Sequence, residues 1–416
     1  MQSRSLLTLF LLLAIFCRDG AAREPLAEHL LHIDEVDRLV SEHNRVLIAA
    51  RRASEGGEAG VVIAGARPNP VVSLNSSGIN SRHPGVGSNL DTILRIDQTI
   101  ERGGKRDLRL AVADALLQAN RADETDSLRQ QRLLARQAYF DLKAAEERAR
   151  LADESAKLAH QVLLKAELRQ KAGDLSPADV ARIRTDALKA ASDATQANID
   201  HHRAQQALAY LLALESEAFR LATADPWPSL GPLPSDAQAI DGRPDVQAAT
   251  RRQEAAERAI GLAKSQQVRD VTVGAQVERA PDTPGNPVYG LGISVPLFTG
   301  YDYRGELRRA RVDRDAANDE LERIRANAAA EFEQAAFEAE QLRERARSLQ
   351  EEALPAARKA QAAVQLAFNQ GAASVLDVID ARRSLYAIET DTANALADAA
   401  KARAAWAAAI NRPDLP

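Results

Sequence analysis

Cysteine occurs once in the 416 residues, at Cys17, and methionine once, at Met1. Aromatic residues make up 4% of the chain. One cysteine cannot close an intramolecular disulfide, and without clustered sulfur a thiolate or thioether metal site is excluded. A compact core of this length normally uses more Phe, Tyr and Trp. The abundance of Ala, Leu, Arg, Glu and Gln is instead that of long helices. Long apolar runs are also missing. Leu6 to Phe16 extends about 11 residues, short of a bilayer span, and Leu208 to Leu214 is shorter still. There is no H-E-x-x-H, no phosphate-binding glycine loop and no nucleophile elbow. Neither an enzyme nor a cofactor is therefore expected. The seven histidines (His29, His32, His43, His83, His160, His201 and His202) lack helical metal spacing with a second strong ligand, so no metal site is expected.

What the N-terminus does have is export chemistry. Arg4 precedes the apolar run, and Gly20-Ala21-Ala22 supplies small residues for cleavage, so residues 1–22 read as a signal peptide. Phe16 before Cys17 is too large for a lipidation site, which places Cys17 in the discarded leader. Removing Arg4, Arg18 and Asp19 leaves 52 basic and 58 acidic residues, and no electrostatic case for nucleic acid. An exported chain without a spanning helix is either soluble or crosses a membrane as β-strands.

The strongest feature is an internal echo. Gly173-Asp174-Leu175-Ser176-Pro177-Ala178-Asp179-Val180 returns as Gly371-Ala372-Ala373-Ser374-Val375-Leu376-Asp377-Val378, and Arg184 falls on Arg382 at the same offset. A repeat at this scale sets the fold before any local reading does. The pattern predicts a first structural repeat over 23–217, a Pro-rich connector over 218–242 and a second repeat over 243–416. In the first, a helix over 34–67 ends at Arg67-Pro68-Asn69-Pro70. Strands follow at about 71–81 and 90–100, separated by turn residues 83–88. A long helix runs over about 105–172, breaks at Gly173 to Pro177, and returns over about 178–215. In the second, a helix over 244–267 precedes strands at about 270–279 and 288–297, with a turn at 281–287. A long helix then runs over about 304–370, breaks at Gly371, and returns over about 374–411.

The strands alternate. Leu94 and Ile96 alternate with Arg95 and Asp97, and Tyr289, Leu291 and Ile293 with Gly290 and Gly292. Four such strands expose an apolar face and two open edges, which strands from other copies would close. An apolar outer face with a small or polar inner face is what a membrane barrel requires. The residues alone thus point to an α+β, mainly α, protomer of an oligomeric barrel joined to a helical tube.

Five segments in this order resemble the TolC-type outer-membrane efflux family. They are Arg67 to Pro70, Gln98-Thr99-Ile100-Glu101-Arg102-Gly103-Gly104-Lys105-Arg106, Arg243-Pro244-Asp245-Val246-Gln247-Ala248-Ala249, Val295-Pro296-Leu297-Phe298-Thr299-Gly300, and Gly371 to Leu385. The Gly-Gly-Lys-Arg form is most similar to the cobalt-zinc-cadmium resistance branch. The resemblance implies a homotrimer with a twelve-stranded barrel in outer-membrane lipid of a Gram-negative bacterium and a helical periplasmic tunnel. It also implies an exit duct for an inner-membrane pump of the resistance-nodulation-division type, reached through a periplasmic adaptor. Divalent metals are the implied cargo. A duct for drugs or for type I protein secretion, and a soluble coiled-coil adaptor, are the competing readings.

The resemblance places adaptor docking at the two helix breaks, on Gly173, Leu175, Ser176, Gly371, Ser374 and Val375. It places a pore constriction just beyond them, at Asp377 and Asp380. The matching positions of the first repeat are Asp179 and Arg182, and the expectation is that Arg182 pairs with Asp380 to hold the tip closed.

Overall fold

The computed structural model describes residues 28–78, 91–233, 240–279 and 285–412. The expected leader with Cys17, the 83–88 turn and most of the 281–287 turn lie outside the described residues. The order helix, strand, strand, long helix, return helix occurs twice. The elements are β1 (His29–Leu31), α1 (Ile33–His43), α2 (Arg45–Gly65), β2 (Val71–Ser77), β3 (Asp91–Ile100), α3 (Lys105–Lys171) and α4 (Pro177–Leu212). Then come β4 (Leu221–Thr223), α5 (Pro244–Ser265), β5 (Val271–Arg279), β6 (Val288–Ser294), α6 (Arg304–Ser348), α7 (Leu354–Asn369) and α8 (Val375–Ala409).

Three details differ from the sequence expectation. The helix read over 34–67 is two helices, because the Asn44 side chain accepts hydrogen bonds from the N–H groups of Val46 (2.9 Å) and Leu47 (3.3 Å) and starts α2 afresh. The helix read over 304–370 is interrupted by a π turn at Leu349–Ala353. Pro355 follows one residue after the turn, beyond Leu354, and has no N–H to continue an α-helical ladder, so the wider turn accommodates it. The return helix ends at Leu212, where Ala213 adopts a left-handed conformation, and the chain then forms β4, which pairs in parallel with β1.

The chain forms two compact units, each built from both halves of the sequence. One holds the described residues of 39–137, 228–348 and 398–412. Its sheet has the order β2-β3-β5-β6, all antiparallel, with β3 and β5 joining the two repeats. Register places Leu94, Ile96, Val273, Val277, Leu291 and Ile293 on one face; Leu291 is 90% and Ile293 75% exposed. The other face carries Ser73, Arg95, Asp97, Thr272, Gln276, Gly290 and Gly292. Small residues let α5 and α6 pack closely around Val246, Ala249, Leu321 and Ala328.

Three of the segments that carry the resemblance, Arg67 to Pro70, Gln98 to Arg106 and Arg243 to Ala249, form junctions in this unit. Gln98 donates to the Pro68 carbonyl at 2.9 Å, Arg106 to the Gly65 carbonyl at 2.7 Å, and Lys105 to Asp270 at 2.8 Å. These bonds satisfy carbonyls where α2 ends and anchor the strand-to-helix turn. Arg243, 1% exposed, donates to Asp245 (2.8 Å) and Glu331 (2.7 Å), tying the start of α5 to α6.

Of the described residues, the other unit holds 28–38, 138–227 and 349–397. Asp225 clamps its β1–β4 pair, accepting from the Ile33 N–H (2.7 Å) and the Tyr139 hydroxyl (2.9 Å) and contacting His32 Nδ1 (2.8 Å).

Candidate functional site

Both helix breaks lie in this second unit and have one construction. Gly173 (φ 85°) and Gly371 (φ 77°) are left-handed. At the first break the Gly173 N–H reaches the Gln170 carbonyl (3.0 Å) and the Asp174 N–H the Arg169 carbonyl (2.9 Å). At the second, Gly371 reaches Phe368 (3.0 Å) and Ala372 reaches Ala367 (2.8 Å). These are paired Schellman stops, which need a residue tolerant of positive φ. Nothing lies within 4 Å of where a Cβ would sit on either glycine, so backbone conformation rather than crowding demands it.

The serines then restart the helices. Ser176 Oγ accepts from the Asp179 N–H (3.1 Å) and donates to its carboxylate (2.7 Å). Ser374 and Asp377 repeat this at 3.2 and 2.7 Å, and the Ser374 N–H adds a bond to Asp377 at 2.8 Å. At the second break these bonds form a reciprocal capping box with Asp in place of the usual Glu. The Ser374 hydroxyl, and then its backbone N–H, hold the Asp377 carboxyl below the usual carboxylate range. Leu175 and Val375 pack against Val180, Ile183, Ala166 and Ile379, so the two tips share one apolar cluster.

Of the expected gate residues, Arg182 and Asp380 sit one turn beyond. Asp179 and Asp377 are at the caps just described. Arg182 lies 3.8 Å from Asp179, one turn back on its own helix. Asp380 is exposed. No ion pair joins Arg182 to Asp380 within the protomer.

A different link crosses between the repeats here. Asp186 on α4, its side chain 8% exposed, accepts from Arg383 Nε at 2.9 Å and from Arg382. Arg184, the sequence match of Arg382, instead holds Glu167 on α3 at 2.8 Å. A cavity of about 300 Å³ lies beside Asp186, lined in part by Ala152, Ser155, Lys189 and Tyr386. Sequence reasoning missed Asp186. Its signal was available: it continues the buried stripe Val180, Ile183, Ala187 and so puts an acid on an apolar face.

Among the described residues no group of three or more His, Cys, Asp or Glu side chains is arranged to hold a metal ion. The His201 and His202 rings stack with centroids 5.6 Å apart. Burial lowers the His201 pKa, and the neighbouring His202 adds to this. No described helix is long and apolar enough to cross a membrane.

Known proteins bear on this geometry. Residues 237–412 match the family described as "Outer membrane efflux protein". The chain is 29% identical over 355 residues to the cobalt-zinc-cadmium resistance protein CzcC of Cupriavidus metallidurans, covering 84% of this chain and 82% of that one. It is 29% identical over 264 residues to the pyoverdine export outer membrane protein OpmQ of Pseudomonas putida, covering 60% and 54%. The crystal structure of the outer membrane protein VceC from Vibrio cholerae superposes with a TM-score of 0.75 at 21% identity, over 91% of this chain and 95% of that one.

Proposed function

We propose that this chain, whose residues 237–412 match the outer membrane efflux protein family, is the exit duct of a tripartite efflux system. Three copies close their four-stranded sheets into one barrel across the outer membrane, and their helices line a periplasmic tunnel. The duct is passive. An inner-membrane pump supplies the energy, and a periplasmic adaptor docks at the tips formed by Gly173, Leu175, Ser176, Gly371, Ser374 and Val375. Asp377 and Asp380, with Asp179 and Arg182, form the constriction. In the trimer Asp377 and Asp380 supply six carboxylates, which favour cations in a narrow pore.

One observation carries this reading: the β2-β3-β5-β6 sheet has an apolar face left open, a polar and glycine-rich face opposite, and two edge strands, β2 and β6. Such a sheet is unstable in water alone and complete when edges meet edges inside lipid. The 29% identity to a cobalt-zinc-cadmium resistance protein over most of both chains supports divalent cations as cargo.

Deleting the gene and scoring growth tests the cargo. Sensitivity to divalent metals is the expected result. Sensitivity to drugs alone, or loss of a secreted protein, would reassign the duct to that cargo.

A further inference from the structure

The polar face of the sheet carries a built feature that duct function by itself does not require. Among the described residues, the charged side chains in register on that face are Asp91, Arg95, Asp97 and Glu278, so Arg95 is its one cation. Arg95 does not stand up from the sheet. Its Nε donates to both oxygens of Asp97, at 2.9 and 2.7 Å, and its Nη1 donates to Gln276 Oε1 at 3.1 Å.

The guanidinium lies over two glycines paired directly across β5 and β6, Gly274 and Gly292. A Cβ on Gly274 would meet the Asp97 carboxylate first and then Arg95 Nη2 at 2.6 Å, and one on Gly292 would meet Arg95 Nη2 at 3.2 Å. The side chain thus starts on β3, crosses β5 and reaches β6. Glycine inside a strand weakens it and often marks a close approach. Here two adjacent strands give up their side chains at the place where the guanidinium rests.

We propose that Asp97, Gly274 and Gly292 store the Arg95 charge flat against the barrel wall, and that this storage is what lets cations through the barrel. The proposal rests on the exit-duct reading, in which the polar face lines the lumen. A raised, unpaired Arg95 in each of three copies would set three positive charges in a cation's path. Paired with Asp97, it leaves Asp91 and Glu278 as the net charge of the described residues on the face, which is negative. Gln276 orients the guanidinium and adds no charge.

Two thiol positions on one strand separate the duct reading from the proposal. Ser294→Cys lies on the polar face and Leu291→Cys on the apolar face, and the unsubstituted chain serves as the blank for Cys17. In outer membranes, charged methanethiosulfonates are expected to label the Ser294→Cys protein and spare the Leu291→Cys protein. Equal or reversed labelling would overturn the duct reading itself.

On the Ser294→Cys background, the anionic and cationic reagents are then compared at low ionic strength. Asp97→Asn should raise the anionic-to-cationic rate ratio about threefold, and Arg95→Gln should lower it by about as much. Combining the two should restore the parental ratio. Gly292→Leu, or Gly292→Ala where the larger residue blocks assembly, should slow both reagents, and should do so only while Arg95 is present. A ratio unmoved by Asp97→Asn at a position that still labels overturns the charge storage. A Gly292 effect that persists in the Arg95→Gln protein overturns the glycine bed.

Discussion

Single residues decide the tips. Gly371 is held at φ 77° with open space around it. Gly371→Ala therefore carries a conformational cost of about 1 kcal/mol and no steric one. Amide exchange in the 367–375 segment should speed up roughly fivefold, with the rest of the chain unchanged; equal protection in both proteins would show that the left-handed turn is not under this constraint. Asp186 is a stronger case. Asp186→Asn leaves two guanidiniums without their carboxylate beside α4, at a cost of about 2–3 kcal/mol, reduced from a fully buried pair because Arg383 is half exposed. Trypsin cleavage at Arg382 and Arg383 should become several times faster in the variant. Unchanged cleavage would mean the link does not hold the two hairpins together.

At the scale of elements, the two turns are built alike and their surroundings differ. Each break is a Schellman stop followed by a serine cap, so the shared Gly, Ser and Asp are explained by backbone hydrogen bonding. The long helices are not alike: α3 is unbroken, whereas the second repeat carries a π turn before Pro355. The β1–β4 pair is three residues long and depends on Asp225 for closure. Partial burial raises the Asp225 pKa, but bonds from His32, the Ile33 N–H and Tyr139 outweigh it and leave the carboxyl below its ordinary value. A carboxyl lowered in the folded state contributes stability that is complete above its unfolded value, about 3.9, and is lost as pH falls through the folded value. The clamp should therefore be indifferent to pH above about 5 and release only in stronger acid. Exchange of the 29–33 and 221–225 amides against pH checks this, and Asp225→Asn should abolish the acid step. A release centred near neutral pH would point to histidine instead.

For the whole molecule, the open sheet sets the assembly. Four strands with an exposed apolar face and two edges need lipid and neighbouring strands. The protein should be recovered from outer membranes only with detergent, as a species of about three times the protomer mass. A monomer in the soluble fraction would refute the duct. Pro substituted into an edge strand, as in Leu291→Pro, should abolish recovery of the oligomer by removing a strand donor; the same oligomer yield would show that β6 is not at a barrel seam.

Local patterns in the chain specify the kinds of element and their order. A period-two alternation such as Leu94-Arg95-Ile96-Asp97 reports which faces are apolar, and a Gly followed by a Ser–Asp pair reports a helix stop and restart. Both are local rules, set by backbone geometry and by hydrogen bonds within five residues. Tertiary structure decided the rest. β1 pairs with β4 across 192 residues, too briefly to leave any alternation. Asp186 meets Arg382 and Arg383 from 196 and 197 residues away. Arg95 lies down because two glycines 18 residues apart in the chain are paired across a sheet. Such contacts depend on which surfaces the packed chain brings together, and no local pattern encodes that.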